Sequence, residues 1–349
     1  MKHAVMNDPK PLVNVAVVGL GFMGVTHLRA YQQMAHARLL AVCDPVRLPV
    51  NGVLPGVAGN IKQPGDISLG PEVRVCHHLK EVLALKEVDL VDLCTPTLLH
   101  AEQAIAALNA AKHVLCEKPL ARTSVSAREI LHALNSAQGF LMPAMCMRFW
   151  PGWSWLKQVV EEEPFGPVLT ARFQRMSVMP GWSQQGTYAA ATGVGGALYD
   201  LHIHDTDFVQ FLFGRPKGVF STGVVQPGGD VSHIVTQYLY PGGPAVSAEG
   251  GWLLPKGFQM GYTLHCERAM LDFDLGRGPD AMQVSEAGKA PRFIRYDGTD
   301  GYAEEIRYIV DCVKNGRRPE IVTGRDGLAA LETCEAEEQS VKTGQVVNF

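Results

Sequence analysis

Two hydrophobic periodicities alternate along the first 145 residues. Short runs rich in β-branched residues predict buried strands, and stretches with apolar residues every three to four positions predict amphipathic helices. Because strands that alternate with helices form parallel sheets covered on both faces, residues 12–145 are predicted to form a doubly wound α/β domain. The predicted strands are residues 14–18, 38–43, 88–94, 113–116 and 140–145, and the predicted helices are residues 23–35, 100–111 and 123–135.

The pattern changes in the rest of the chain. From about residue 168, strand-like runs follow one another without helices between them, separated by turns such as Pro241-Gly-Gly-Pro244. This arrangement predicts a largely antiparallel sheet. A helix at residues 195–213 precedes most of the sheet, and helices at residues 302–315 and 326–343 end the chain. Residues 146–349 are therefore predicted to form a second, α+β domain.

Composition and charge narrow the class of protein. The chain has 349 residues, of which 46% are hydrophobic and 19% charged, as in ordinary globular proteins. Its formal net charge of -4 indicates no surface for nucleic acid or an anionic membrane. No uncharged apolar run reaches the ~18 residues of a membrane span. The eight cysteines form no Cys-x-x-Cys pair, so we expect a cytoplasmic protein without a zinc or disulfide framework.

The strand at residues 14–18 runs directly into the sequence GLGFMG, residues 19–24, and a helix follows. This order of strand, glycine-rich turn and helix is the dinucleotide-binding fingerprint. Its glycines permit a tight turn, close approach to a pyrophosphate and packing of the helix on the strand. The N-terminus of the helix offers N–H groups to the phosphates. The residues expected to contact the cofactor here are Gly19, Gly21, Phe22, Met23 and Gly24.

An acidic residue stands at the distance that the fingerprint requires. Asp44 ends the second predicted strand, twenty residues after Gly24. A carboxylate at this place accepts hydrogen bonds from the adenosine ribose and repels a 2′-phosphate, so it favours NAD over NADP. The alternative is that Asp44 only opens a turn with Pro45. Arg47 lies close by and keeps NADP as the less favoured cofactor.

Two further loops are predicted at the ligand-binding edge of the sheet, where the strands have their carboxyl ends. Thr95 and Pro96 follow one strand and lead into a helix whose first turn carries His100. His100 is either a cofactor contact or an ordinary surface residue. Glu117 and Lys118 follow another strand; they either form a surface salt bridge, or Lys118 binds a substrate oxygen and stabilises charge that develops during hydride transfer.

The helix predicted at residues 195–213 carries a carboxylate and an imidazole on one face. Asp200 and His204 are four residues apart, while Leu201 and Phe208 can be buried on another face. The carboxylate can orient the imidazole and raise its basicity, which suits a proton acceptor for an alcohol. The alternative is a histidine that satisfies a hydrogen bond in the core.

A metal site is the other interpretation of this segment, because His202, His204 and Asp205 resemble a chelating cluster. The two histidines would point to the same side only on a strand or loop. The helical pattern argues against that arrangement, and we expect no metal.

Taken together, these motifs resemble the glucose–fructose oxidoreductase and inositol dehydrogenase (Gfo/Idh/MocA) family over essentially the whole chain. The motifs are the nucleotide fingerprint, the Thr-Pro loop, Glu-Lys-Pro at residues 117–119, Gly-Gly-x-x-x-Asp-x-x-x-His at residues 195–204 and the C-terminal helices. The resemblance implies a Rossmann domain followed by an α/β domain whose open sheet commonly serves oligomerisation. We therefore expect a homo-oligomer, a dimer or a tetramer.

The resemblance also implies a catalytic Lys-Asp-His set, which maps onto Lys118, Asp200 and His204. The expected reaction is hydride transfer between a sugar or cyclic polyol and the nicotinamide, with His204 as acid or base and Lys118 on the reacting oxygen. Thr95, Pro96, His100, Glu117 and Lys118 are expected to complete the cofactor site.

Two other activities are alternatives to this reaction. One is NAD-assisted cleavage of a glycosidic bond without net redox change. The other is a nucleotide-sensing regulator without catalysis, which the presence of all three catalytic residue types disfavours.

Two segments depart from the family pattern. Residues 49–71 are rich in glycine and proline and predict a long loop where the family usually has a helix. Tryptophans cluster at positions 150, 153, 155 and 182, either as a stacking platform for a carbohydrate or as core residues. Arg148 is a candidate donor to substrate oxygens. The expected substrate contacts are Lys118, Arg148, Trp150, Asp200 and His204.

Overall fold

The computed structural model of the chain describes residues 12–57, 65–180, 195–296 and 300–349. These residues group into two compact units. The first contains the described residues up to Cys146 together with Asp300–Leu328, and the second contains those from Met147 to residue 296 together with Ala329–Phe349. The sequence predicts a single boundary near residue 145, which would put residues 300–328 in the second domain. In the structure they belong to the first unit. Residues 300–328 belong there because the helix with which they begin packs on the first helix of the chain.

The first unit is a parallel sheet with helices between its strands, as the sequence predicts. Its elements up to residue 146 are, in chain order, β1 (Val13–Val18), α1 (Phe22–Gln32), β2 (Ala37–Cys43), β3 (Val53–Leu54), β4 (Ile67–Ser68), β5 (Arg74–Cys76), α2 (Leu79–Ala84), β6 (Leu90–Leu93), α3 (Thr97–Asn109), β7 (His113–Glu117), α4 (Ser124–Ser136) and β8 (Leu141–Ala144). Among the described residues, six strands form the sheet in the order β5-β2-β1-β6-β7-β8. This is the strand order of the doubly wound dinucleotide-binding fold.

The segment after β2 is not the plain loop that the sequence predicts at residues 49–71. Strands β3 and β4 pair antiparallel, and Leu54 and Ile67 are buried. The side chain of Gln32 on α1 donates to the Ser68 carbonyl oxygen at 2.7 Å, and Arg29 on the same helix donates to the carbonyl oxygen of Gly65. Strands of two residues are too short to show a hydrophobic period, so the pattern missed this hairpin. Residues 58–64 lie outside the described part.

The second unit contains a long mixed sheet. The remaining elements of the chain are α5 (Ser154–Glu162), β9 (Val168–Val178), α6 (Ile203–Phe213), β10 (Gly218–Val225), β11 (Val231–Leu239), β12 (Ala245–Gly251), β13 (Leu253–Cys266), β14 (Ala269–Asp274), β15 (Met282–Glu286), β16 (Arg292–Ile294), α7 (Gly301–Lys314), α8 (Gly324–Thr343) and β17 (Val347–Asn348). In the described part of the chain, nine strands pair in the order β16-β15-β14-β13-β9-β12-β11-β10-β17. Among the strands that the structure describes in this sheet, only β9 and β12 pair in parallel, which confirms the predicted largely antiparallel sheet.

Side chains alternate between the two faces of this sheet. Along β11, Ile234, Thr236 and Tyr238 are buried, whereas Val235 and Gln237 are exposed. The same alternation runs through β9, where exposed and buried residues follow one another from residue 170 to residue 173. One face therefore packs on the core of the unit and the other faces outward, as is common for antiparallel sheets.

The core of the second unit is organised around Trp153. This tryptophan is fully buried, and its ring contacts four aromatic rings at centroid distances of 5.0 to 6.1 Å. Most of these contacts are edge-to-face, the arrangement that aromatic quadrupoles favour. The four partners are Phe173, Phe208, Tyr262 and Phe273.

All eight cysteines are free thiols, and seven of them are buried. Among the described residues, no helix has both the length and the apolar character needed to cross a membrane.

Replacement of Trp153 by alanine should lower the free energy of unfolding by about 3–5 kcal/mol, because a large buried side chain leaves a cavity that the surrounding rings cannot fill. Urea unfolding followed by circular dichroism measures this loss. Trp155, which is only partly buried, is the matched control, and Trp155→Ala should lose clearly less. Equal losses in the two variants would contradict the central place of Trp153 in the core.

Candidate active site

The turn between β1 and α1 has two glycines that no other residue can replace. Gly19 has a φ of +90°, and a Cβ added there would lie 2.5 Å from the carbonyl oxygen of Cys94. A Cβ on Gly24 would lie 1.9 Å from the carbonyl oxygen of Gly19. Both separations are far below van der Waals contact. The fingerprint is therefore folded as the sequence predicts, with the turn drawn tightly against β6 and α1.

The middle glycine faces open space. A Cβ on Gly21 would have no atom within 4 Å, and Gly21 is the N-cap residue of α1 without a side-chain hydrogen bond within the described structure. Phe22 and Met23 are the first residues of the helix. A helix N-terminus behind an open glycine fits a pyrophosphate, which would accept hydrogen bonds from the N–H groups of the first turn. The residues present thus suit a dinucleotide.

Asp44 stands at the end of β2 and binds the backbone on two sides. Its Oδ2 accepts a hydrogen bond from Leu20 N at 2.9 Å, and its Oδ1 accepts from Val46 N at 2.9 Å and Arg47 N at 2.8 Å. The turn role considered for Asp44 is therefore real. A carboxylate has about four acceptor positions, so three backbone bonds leave capacity for a ribose hydroxyl. The ribose role stays a prediction.

Arg47 is the residue that keeps NADP as the less favoured cofactor. Its guanidinium points toward the segment that follows β3. It donates to the carbonyl oxygens of Pro55 and, at 3.4 Å, of Gly56. These contacts give the side chain partners within the unit, which agrees with a preference for NAD.

His100 is not the ordinary surface residue that the sequence left open as one alternative. It is 1% exposed, and its ring joins two loops: Nδ1 lies 2.8 Å from the carbonyl oxygen of Pro119, and Nε2 lies 2.8 Å from that of Thr95. Burial lowers the pKa of His100, against the opposing effect of the two carbonyls. The ring therefore ties the Thr95-Pro96 loop to the segment after β7. A cofactor contact by Thr95, Pro96 or His100 stays a prediction.

Glu117 and Lys118 do not form a surface salt bridge, which the sequence left open as the alternative. Glu117 is 6% exposed, and its Oε2 accepts a hydrogen bond from the backbone N of Lys118 at 2.9 Å. The side chain of Lys118 is partly exposed beyond the carboxyl end of β7. Lys118 is thus placed at the ligand edge of the sheet, whereas the Glu117 carboxylate is engaged inside the unit.

The second unit presents Asp200 and His204 on one helical face. Asp200 lies in a π-helical turn, Leu198–His202, which continues directly into α6. Asp200 and His204 are both partly exposed, while Leu201 and Phe208 are buried, as their spacing predicts. π-Helical turns are rare and frequently occur at functional sites.

The chelating cluster considered from the sequence is not assembled. His202 is fully buried, with Nε2 3.3 Å from Glu337 Oε1 on α8. Asp205 binds Arg175 through two hydrogen bonds of 2.9 and 3.0 Å. His202 and Asp205 thus have separate partners in the core, while His204 lies on the partly exposed face.

Arg148 has a different partner from the one expected. It is 5% exposed, and its Nε and Nη2 donate to the two oxygens of Asp207 at 2.9 and 2.6 Å. The guanidinium also lies 4.6 Å from the ring centroid of Phe211. Because this two-bonded ion pair is buried, it makes Arg148 a structural residue. Its contact with a substrate stays a prediction.

The tryptophans divide between core and half-buried positions. Trp153 is a core residue, whereas Trp150 and Trp155 are partly exposed and can still face a ligand. Trp182 lies outside the described residues. The substrate contact of Trp150 stays a prediction.

The sequence motifs missed a buried polar cluster beneath the fingerprint turn. His27 on α1 lies with its Nδ1 2.8 Å from Asp92 Oδ2 on β6, and the same oxygen accepts a hydrogen bond from the Tyr31 hydroxyl at 3.0 Å. Its Nε2 lies 3.3 Å from Glu117 Oε1. The one signal in the sequence is Asp92 itself, an acid in the middle of the buried strand Leu-Val-Asp-Leu.

The fingerprint turn, the strand order of the first sheet and the acid that ends β2 define an NAD-binding Rossmann oxidoreductase. Residues 13–145 match the family model described as "Oxidoreductase family, NAD-binding Rossmann fold", and residues 153–272 match that of the GFO/IDH/MocA C-terminal domain. The chain belongs to the Gfo/Idh/MocA family.

Two of the named relatives with sequence similarity to this chain are dehydrogenases. Levoglucosan dehydrogenase of Pseudarthrobacter phenanthrenivorans is 31% identical over 210 residues, which cover 59% of this chain and 53% of that protein. Inositol 2-dehydrogenase of Rhizobium meliloti is 26% identical over 344 residues, which cover 94% of this chain and 97% of that protein. The longer match spans nearly the whole of both chains.

Solved structures share the fold. Levoglucosan dehydrogenase in complex with NADH and L-sorbose superposes with a TM-score of 0.81 at 20% identity, covering 97% of this chain and 99% of the other. Aldose-aldose oxidoreductase from Caulobacter crescentus, complexed with glycerol, also has a TM-score of 0.81, at 22% identity, covering 97% and 100%. At these identities the likeness establishes the fold alone.

Gly21 and Gly24 should respond differently to alanine. Gly21→Ala should fold normally, because its Cβ has free space, but weaken NADH binding about tenfold or more, equivalent to ~1.4 kcal/mol, because the methyl group would stand where a pyrophosphate approaches. Gly24→Ala should lose both stability and binding, because its Cβ meets backbone. Thermal unfolding and NADH fluorescence titration measure the two properties. Unchanged NADH affinity in folded Gly21→Ala would contradict the pyrophosphate site.

Proposed function

We propose that the protein is an NAD-dependent dehydrogenase that transfers hydride between a hydroxyl-bearing carbon of a sugar or cyclic polyol and the nicotinamide. The observation that carries the proposal is the residue set itself: Lys118 follows β7 at the ligand edge of an NAD-binding sheet, and Asp200 and His204 share a partly exposed helical face. The relatives' names support the substrate class. The near-neutral charge balance of the chain agrees with an uncharged substrate.

Each residue has a chemical task in this proposal. The bound nicotinamide supplies the hydride acceptor or donor. His204 takes the hydroxyl proton in oxidation and returns it in reduction. Lys118 donates a hydrogen bond to the same oxygen and stabilises negative charge on it, and Asp200 orients the imidazole.

Lys118→Ala and His204→Ala should each lower turnover about 10²- to 10⁴-fold, the usual contribution of a general acid or base, and keep NADH binding. The substrate is first identified by NADH formation at 340 nm with a panel of monosaccharides, anhydrosugars and inositols. Lys86→Ala and His132→Ala are matched controls, because both side chains are exposed in the first unit, and they should keep full turnover.

Three outcomes would count against the proposal. Retained turnover in either variant would remove that residue from the reaction. Product formation without net NADH would favour the NAD-assisted cleavage considered above. NADH binding with no reaction on any compound class would favour a nucleotide-sensing role.

We further propose that the outward face of the nine-stranded sheet joins two or more copies of the chain. This face carries apolar side chains that a monomer would leave in water: Phe220 is 37% exposed and Val235 is 40% exposed. Phe220 and Val235 lie on the neighbouring strands β10 and β11. Burial of such a face stabilises an oligomer by removing apolar surface from water.

A charged side chain introduced into this face should weaken the proposed interface. Light scattering after gel filtration should give at least twice the chain mass for the wild type, and Val235→Lys should raise the dissociation constant about tenfold or more, since a buried unpaired charge is costly. Val125→Lys on α4 is the control, because Val125 is 62% exposed and lies outside the sheet. A monomeric wild type would overturn the proposal.

A further inference from the structure

We propose that buried His27 is a positioning residue for Lys118: it holds the carboxylate of Glu117, which in turn holds the backbone of Lys118. The inference rests on the catalytic role proposed above for Lys118. It assigns a function to a cluster that the fingerprint and the Glu-Lys-Pro motif leave unexplained.

The first step is the contact between His27 and two carboxylates. Its Nδ1 is hydrogen-bonded to Asp92 at 2.8 Å, and its Nε2 faces Glu117 Oε1 at 3.3 Å, as a charge contact rather than a well-aligned hydrogen bond. His27 and Asp92 are fully buried, and Glu117 is nearly so. An unprotonated Nε2 would turn its lone pair toward a carboxylate, which is repulsive. A ring protonated on both nitrogens satisfies both contacts.

The surroundings of the ring favour that charged form. Burial opposes protonation of His27, but attraction to the Asp92 carboxylate outweighs it and raises the pKa of His27 well above its usual value. Glu305 faces the cluster from α7 and is fully buried, and this burial raises its pKa, which favours its uncharged form. Burial likewise raises the pKa of Tyr31, which remains a neutral donor to Asp92.

The second step leads from Glu117 to Lys118. With Oε1 held against the imidazolium, Oε2 accepts the hydrogen bond from Lys118 N at 2.9 Å. On the other side of Lys118, the carbonyl oxygen of Pro119 contacts His100 at 2.8 Å. The backbone is thus held on both sides of the residue that carries the ammonium group. Misplacement of a catalytic group by about 1 Å can cost about 100-fold in rate.

A metal ion is the other occupant that the cluster suggests. Potential ligand atoms of His27, Asp92 and Cys94 lie within 4.8 Å of one another. However, 2.8 Å between His27 Nδ1 and Asp92 Oδ2 is a hydrogen-bond distance, and ligands of a tetrahedral zinc are about 3.3 Å apart. Burial also raises the pKa of the Cys94 thiol, which disfavours the thiolate that would bind a metal. The geometry therefore favours a shared proton.

The test compares two variants that each remove a hydrogen bond to the same oxygen of Asp92. His27→Gln also removes the charge facing Glu117 and should lower kcat about tenfold or more, with the NADH dissociation constant within about twofold of wild type. Tyr31→Phe leaves Glu117 untouched and should keep kcat within about twofold while losing some thermal stability. Equal kcat in the two variants would show a merely structural role and overturn the proposal.

If His27→Gln does not fold, Glu117→Gln, which keeps the shape of the side chain, should show the same loss of kcat, and retained kcat would overturn the proposal.

A second measurement does not depend on finding the substrate. In protein with ¹³C-labelled histidine, the NMR signal of His27, identified by its absence in His27→Gln or by its shift in Glu117→Gln, should be that of an imidazolium at pH 7. A neutral imidazole would overturn the proposal, as would one equivalent of zinc per purified chain. An inactive protein with a charged His27 would instead count against the dehydrogenase proposal alone.

The contribution of His27 to the stability of the fold should change with pH in one direction. Because the pKa of His27 is higher in the folded chain than in the unfolded one, its charge stabilises the fold fully below the unfolded pKa of about 6.5 and progressively less as pH rises through the folded pKa. The stability difference between wild type and His27→Gln should therefore shrink toward high pH. A difference that grows with pH would contradict the charged ring.

Discussion

Parallel pairing in the first sheet is the constraint on which the rest of this unit depends. Because β1, β2, β6 and β7 run in the same direction, the residues that follow them are delivered to one edge. The glycine turn, Asp44, Thr95 and Lys118 come from distant parts of the sequence and reach that edge for this reason alone. The close contact of Gly24 with Gly19 then fixes where α1 begins.

The second unit positions its polar residues by a different means. The residues proposed for proton transfer lie on a π-helical turn and on α6, the helix that directly follows it. Two consecutive acids on α8 hold that turn from both ends: Glu338 accepts a hydrogen bond from the Tyr199 hydroxyl at 2.8 Å, and Glu337 lies 3.3 Å from His202. These contacts of Tyr199 and His202 help to fix the turn that carries Asp200 and leads to His204.

Much of this architecture could be predicted from the sequence, and the failures have common causes. Strands buried on both faces, such as β1, read as continuous apolar runs, and the fingerprint glycines have steric requirements that other residues cannot meet. The hairpin β3–β4 and the strand β5 are too short to show a period. The partners of His100 and Arg148 could not be predicted, because tertiary packing sets the partner of a polar side chain: His100 binds carbonyls 5 and 19 residues away, and Arg148 binds an acid 59 residues away. Asp92 was visible as an acid in an apolar strand, but nothing in the sequence places His27 beside it.

The return of residues 300–328 to the first unit has a consequence for modular engineering of this chain. α7 packs on α1 and β1, and it carries Glu305 into the cluster around His27. The first unit is therefore not a contiguous gene segment. A fragment cut at residue 146 would expose the back of α1 to water and leave the cluster open on one side. Domain exchange between relatives would have to transfer α7 with the N-terminal segment, so recombination at the evident sequence boundary would produce mismatched halves.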